Sequence, residues 1–400
     1  MTATTQLSMQ RFALFEGGFR PFFLLAGLDA LTNMAVWLTV YFHPEIWPAG
    51  AISAIYWHAH EMLFGFAAAA IGGFLLTAVP NWTGKPPYRG PLLGLLTALW
   101  LAGRIAVLPF LNFTPVVATA ADLAFFPVLA LVLAPALVRA GKFGNLALVG
   151  LLLLLFAANF CFHLGLGGSP ELGQHVGLYA AIDIIVLMIV VIGGRIIPSF
   201  TRNAFLKQGV QSPVQSRTVI ERGAIVSILL MVVFDMALPL SRMSGAVSLL
   251  AALLQAIRLG QWQGHRTWRE PLLWVLHLGY GWLVLALFLK AGYLLFDMAI
   301  AAKWVHALTV GAFTTMILAV MTRASLGHTG QPLIAPKPMA TAYVLVSLAA
   351  VIRVFGPAIW PQRYDVIVGL SGGLWIAAFA IYLWIYAPVL TRPRRDGKPG

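Results

Sequence analysis

Two imidazoles, a carboxylate and a thioether crowd together in Trp57-His58-Ala59-His60-Glu61-Met62, just before an apolar run that continues to Val79-Pro80. In hydrocarbon such groups are costly unless partnered, so their clustering at the mouth of a membrane-length segment marks a candidate functional site. Imidazole, carboxylate and thioether together suit copper, iron and haem. On a regular helix His58 and His60 point about 200° apart, so they serve different neighbours. His58 shares a face with Glu61 and Met62, and His60 shares one with Phe64. Glu61, one turn from His58, is therefore expected to fix the tautomer of a ligating His58. The competing reading is an interfacial helix start, with Trp57 and two amphipathic imidazoles at headgroup level.

Other segments carry similar chemistry. His306 sits in Lys303-Trp304-Val305-His306-Ala307-Leu308-Thr309-Val310-Gly311-Ala312. Small residues there would admit a flat macrocycle or a neighbouring helix, and a hydrogen bond across the bundle competes with a ligand role. Cys161-Phe162-His163 and Gln174-His175 flank a Gly-rich turn that could assemble a thiol and two imidazoles around copper. A buried free cysteine is more commonly an apolar filler. The candidate metal ligands are thus His58, His60, His163, His175 and His306. His175, Tyr179 and Asp183 form one stripe, and Asp29, Asp122 and Asp183 are carboxylates inside apolar segments. Each could carry protons or pair with an intramembrane arginine, and pairing is favoured. Arg20 in Gly18-Phe19-Arg20-Pro21 and Arg195 in Gly194-Arg195-Ile196-Ile197-Pro198 could hold propionates or quinone carbonyls. Simple anchoring at a membrane edge is the alternative for both.

These residues need a scaffold, and composition names it. Of 400 residues, 60% are hydrophobic and 10% charged, where a soluble protein carries roughly a quarter charged. The chain is read as an all-α polytopic bundle of about twelve transmembrane helices, a single integral membrane domain spanning 1–400. The expected spans are 19–42, 57–80, 91–109, 115–138, 146–166, 174–198, 220–239, 243–259, 271–292, 299–321, 339–357 and 364–391. A loop at about 200–219 separates two sets of six, 1–199 and 220–391. The short turn Leu238-Pro239-Leu240-Ser241-Arg242 could instead close a re-entrant hairpin. The first apolar segment is too long for a signal peptide and should stay in place as a helix.

Of the 26 Lys and Arg, all but Arg104, Arg242, Lys290, Lys303, Arg353 and Arg363 fall on one side of this topology. By the positive-inside rule both ends are cytoplasmic. The net charge of +13 then reports contact with anionic lipid, not nucleic acid. The tail from Arg392 to Gly400 is expected to be disordered and lipid-facing. His43, His58, His60, His163, His175 and His306 all map to the opposite end, a clustering that favours a site over a scattered core. The single cysteine excludes an intramolecular disulfide or a multi-cysteine metal site. No nucleotide loop, dinucleotide fingerprint, nucleophile elbow or zinc-protease motif stands in a usable context.

Several stretches resemble the NnrS family: Gly18-Phe19-Arg20-Pro21-Phe22-Phe23, Trp57 to Phe66, Gly73 to Gly84, Gly194 to Thr201, His306 to Ala312 and Ser325 to Gly330. The resemblance covers nearly the whole chain. It implies a haem- and copper-containing bacterial inner-membrane protein, with a b-type haem, tied to nitric oxide stress and denitrification. Nitric oxide is then the expected ligand, the bilayer the expected partner, and an oxidoreductase activity is conceivable. A more distant similarity is to the catalytic subunits of haem–copper oxidases and nitric oxide reductases, with His58 or His60 and His306 in comparable places. The tenth span lacks a His-x-His pair, so a copper site of the oxidase type is not expected. A transporter of a metal, haem or small solute, or a metal-delivery factor, is the alternative reading.

Overall fold

The computed structural model describes residues 13–49, 52–166 and 170–396. Arg11, Lys398 and part of the Gly-rich turn after His163 lie outside the described residues. In chain order the helical rods are α1 (Phe19–Phe42), α2 (Ala54–Thr83), α3 (Pro91–Ala106), α4 (Pro115–Arg139), α5 (Leu146–Leu166) and α6 (Pro170–Lys207). There follow α7 (Thr218–Ala237), α8 (Arg242–Gln261), α9 (Pro271–Phe296), α10 (Trp304 to His328), α11 (Lys337–Ile359) and α12 (Tyr364–Thr391). Among the described residues, ten helices are long and apolar enough to cross a membrane, by length and composition. Of the rest, α3 is a 16-residue apolar helix, and α7 carries Glu221, Arg222 and Asp235. The protein is an all-α polytopic membrane bundle.

Pairing follows the chain, with α5 on α6, α8 on α9 and α11 on α12, and α12 returning to lie along α1. That closure is specific. Trp375 donates to the Ala30 carbonyl at 2.8 Å and Tyr382 to that of Phe23 at 3.2 Å. The Ala13 amide bonds the Thr391 carbonyl at 2.9 Å, so the two ends of the described chain share one end of the bundle. We call this the terminal end. Leu131, Val219, Trp384 and other large apolar side chains stay exposed around the perimeter, where acyl chains would cover them.

Three differences from the expected spans have physical causes. Helix α6 continues through Pro198 to Lys207, shortening the interhelix loop to 208–217; its polar last turns lie beyond the apolar stretch that hydropathy detects. The tail is ordered as far as it is described. Arg394 donates to the His328 carbonyl at 2.8 Å and the Arg395 amide to that of Thr329 at 3.2 Å, fastening residues 392–396 to the end of α10. Finally, α2 and α10 are not uniform α-helices. Each holds a seven-residue π segment, Glu61–Ala67 and Ala307–Phe313. The residue before each is a histidine, His60 or His306, and each segment has glycine at its fifth place, Gly65 or Gly311.

Candidate functional site

The two π segments widen their helices just below the far end, opposite the terminal end, and such bulges recur at functional sites. The glycines inside them are occupied by the protein itself. A Cβ on Gly65 would lie 2.6 Å from Asp29 Oδ2 and 3.0 Å from Arg104 Nη1; one on Gly311 would strike the Trp282 ring at 2.6 Å. The small residues near His306 thus admit an indole from α9, not an open slot.

On one side of α2 lies a buried polar cluster drawn from α2, α3, α4 and α5. His60 places Nδ1 2.9 Å from Glu61 Oε1 and Nε2 3.0 Å from both Asp122 Oδ2 and Asn159 Oδ1. Arg104 donates to Glu61 at 2.8 Å and pairs with Asp122 Oδ1. His163 places Nε2 2.8 Å from Asp122 Oδ2 and Nδ1 3.2 Å from Thr119 Oγ1, and Asn159 Nδ2 donates to Asp122 at 2.7 Å. Asp29 of α1 borders the cluster, with its Oδ2 buried and unpartnered. One arginine therefore faces three carboxylates, and the imidazoles and the Asn159 amide supply the remaining donors. Both nitrogens of His60 meet acceptor oxygens, so His60 with two protons satisfies every contact. In that state it has no lone pair for a metal.

Ligand atoms of His60, Asp122 and His163 nevertheless all lie within 4.8 Å of one another, the only such His/Cys/Asp/Glu group among the described residues. Two imidazoles and a carboxylate suit a divalent transition ion, which would enter by displacing the shared protons. Cys161 is not part of the group.

On the other side of α2, His58 stacks on Trp37 of α1, ring centroids 4.5 Å apart and planes 17° from parallel. Its Nδ1 is buried without a partner. His58, His306 and Arg353 of α11 lie within electrostatic reach of one another. Arg353 donates to Tyr364 at 3.0 Å and leaves Nη1 buried and unpaired. Among the described residues no hydrogen bond to the His306 ring is found. These two imidazoles, unlike His60, keep lone pairs that no carboxylate claims.

The expected opposition of His58 and His60 is therefore present, and α2 separates two sites. Glu61 departs from its expected place: it bonds His60 and Arg104, not His58. The π segment begins at Glu61 and slows the winding there, so spacing rules for a regular helix fail at that residue. His175 is exposed and packs against Tyr179 with the rings tilted and their centroids 4.3 Å apart, outside both groups. Arg20 and Arg195 stand at the terminal end. Arg20 is buried and caps α12, donating to the carbonyls of Leu390 at 3.0 Å and Arg392 at 2.7 Å. Arg195 donates to Asn145 Oδ1 at 2.8 Å. From Arg20 to Trp37 along α1 is roughly 25 Å, so a group held by His58 does not also reach Arg20. Sequence reasoning missed Arg104, Asn159, Trp37 and Arg353 as site residues; only Arg104 and Arg353 gave a signal, as charges inside apolar runs.

A family profile described as NnrS protein matches residues 13–394. The chain belongs to the NnrS family. At family level it is a nitric-oxide-related membrane protein. No curated relative matches it significantly. In this NnrS-family chain the matched region takes in α1 to α12 and every residue of both histidine groups.

Proposed function

We propose that this protein is a haem- and copper-containing protein of the bacterial inner membrane that binds or transforms nitric oxide and so relieves nitrosative stress. The observation that carries the reading is the pairing of His58 on α2 with His306 on α10: two half-buried, neighbouring imidazoles from distant parts of the chain, free of carboxylate partners. They would hold haem iron, which would supply the redox chemistry and, on displacement of one of the two imidazoles, a position for a diatomic ligand. Trp37 would fix the His58 ring plane, and Arg353 would set positive charge beside it. His60, Asp122 and His163 would hold copper. Family membership supports the nitric oxide assignment. So does a cleft of about 80 Å³ between α1, α2, α6 and α10, lined by apolar side chains including Phe23, Ile71, Met188, Ile192 and Met316, into which a small uncharged gas would partition. The terminal end would face the cytoplasm, as its basic surplus implies.

The test is metal and haem quantitation on detergent-purified protein with absorption spectra. His58→Ala and His306→Ala should each abolish the Soret band, and His163→Ala should lower copper while leaving it. Arg20→Gln and Arg195→Gln should leave haem content unchanged. A haem-free wild-type protein, or an intact Soret band in both α2 and α10 variants, defeats the reading.

A further inference from the structure

A third polar group lies apart from both histidine sites, where α6, α7, α8 and α9 meet near the turn between α7 and α8. Lys290 of α9 is buried and pairs with Asp235 Oδ2 of α7, whose other oxygen accepts from Ser244 of α8. Asp183 of α6 is 3% exposed, within hydrogen-bonding range of Asp235 and within electrostatic reach of Lys290. Among the described residues no N–H or O–H donor reaches Asp183 Oδ2. Lys290 also lies over the Trp304 ring at 4.9 Å, and Tyr179 packs against the same indole at 6.1 Å, with Tyr293 and Tyr56 beyond it.

Two carboxyl groups at hydrogen-bonding range cannot both be ionised in a buried setting, because like charges so placed repel strongly. One lysine neutralises one of them. The remaining charge is removed most simply by a proton held between Asp183 and Asp235. A metal cation is disfavoured, since the ammonium already on Asp235 would repel it. Access exists on one edge: the Asp235 side chain is 11% exposed, two residues before the end of α7.

We propose that Asp183 and Asp235 form an exchangeable proton-binding site, with Lys290 as its fixed counter-ion and Asp235 as the side that meets solvent. The cluster passes between net charge −1 and 0 as one proton moves from bulk water onto the carboxyl pair. It stands beside the start of α10 through Trp304, two residues before His306, so its charge is felt there. The site does not depend on haem or copper.

Infrared difference spectroscopy of the purified protein at neutral pH tests this, whatever cofactors it carries. The expected result is a protonated-carboxyl C=O stretch that shifts on transfer to D₂O. Asp183→Asn should remove it and Asp183→Glu should restore it at a displaced frequency. Asp183→Asn keeps the Lys290–Asp235 pair, so it should still elute as a monodisperse species. Three outcomes overturn the proposal: no such band in wild type, an unchanged band in Asp183→Asn, or a band that D₂O does not shift over hours.

Discussion

Replacing Arg104 by alanine should destabilise the folded protein by about 3–5 kcal/mol, the cost of stranding a partner in a buried ion pair. The guanidinium is the only arginine in a cluster holding Glu61, Asp122 and, at its border, Asp29. Without it Glu61 keeps only the His60 contact, while Asp122 keeps two imidazoles and an amide. The damage therefore falls on Glu61 and on the π segment it opens. Arg104→Lys should recover only part of the loss, because an ammonium cannot bridge two carboxylates as a planar fork does. Thermal unfolding in detergent checks both variants. A wild-type midpoint in Arg104→Ala would mean that the carboxylates neutralise themselves by taking up protons. The cluster would then be a proton store, not an ionic clamp.

The chain's elements and its sites were legible to different degrees, and the reason is where the information resides. Long apolar runs ended by Gly and Pro mark most of the helices because a bilayer sets a minimum length for a spanning segment. Opposite aims for His58 and His60 follow from helical winding alone, and intramembrane carboxylates such as Asp122 stand out by their cost in hydrocarbon. Partner choice is another matter. Asp122 meets Arg104, His60, Asn159 and His163 only because α2 to α5 pack around it, and nothing local to any of these segments encodes that meeting. Asp183 likewise fails the simple pairing rule, facing an aspartate and a lysine where an arginine was the natural expectation. The π segments leave a faint trace, a glycine five places after each histidine, which is interpretable only once Asp29, Arg104 and Trp282 are seen filling the space.

Gly177→Leu should break the site from a helix that carries none of its ligands. Helices α5 and α6 approach through Gly165, Gly173 and Gly177, with backbone against backbone. A Cβ at Gly177 would lie 2.5 Å from the Ala158 carbonyl oxygen and 2.7 Å from the Phe162 amide nitrogen. Neither atom can swing aside, since both belong to the α5 backbone. Small residues at this spacing let membrane helices gain dispersion contact that lipid would otherwise supply. Gly177→Ala should already cost about 1–3 kcal/mol as overpacking. The leucine must push α5 outward, carrying Asn159 and His163 away from Asp122 and leaving that carboxylate with Arg104 and His60. The expected signature is a lowered unfolding midpoint together with loss of any metal bound through His163, while a haem held by His58 and His306 persists. If Gly177→Leu keeps both wild-type stability and wild-type metal content, the close contact of α5 with α6 does not position His163, and the cluster is held from the α2–α4 side alone.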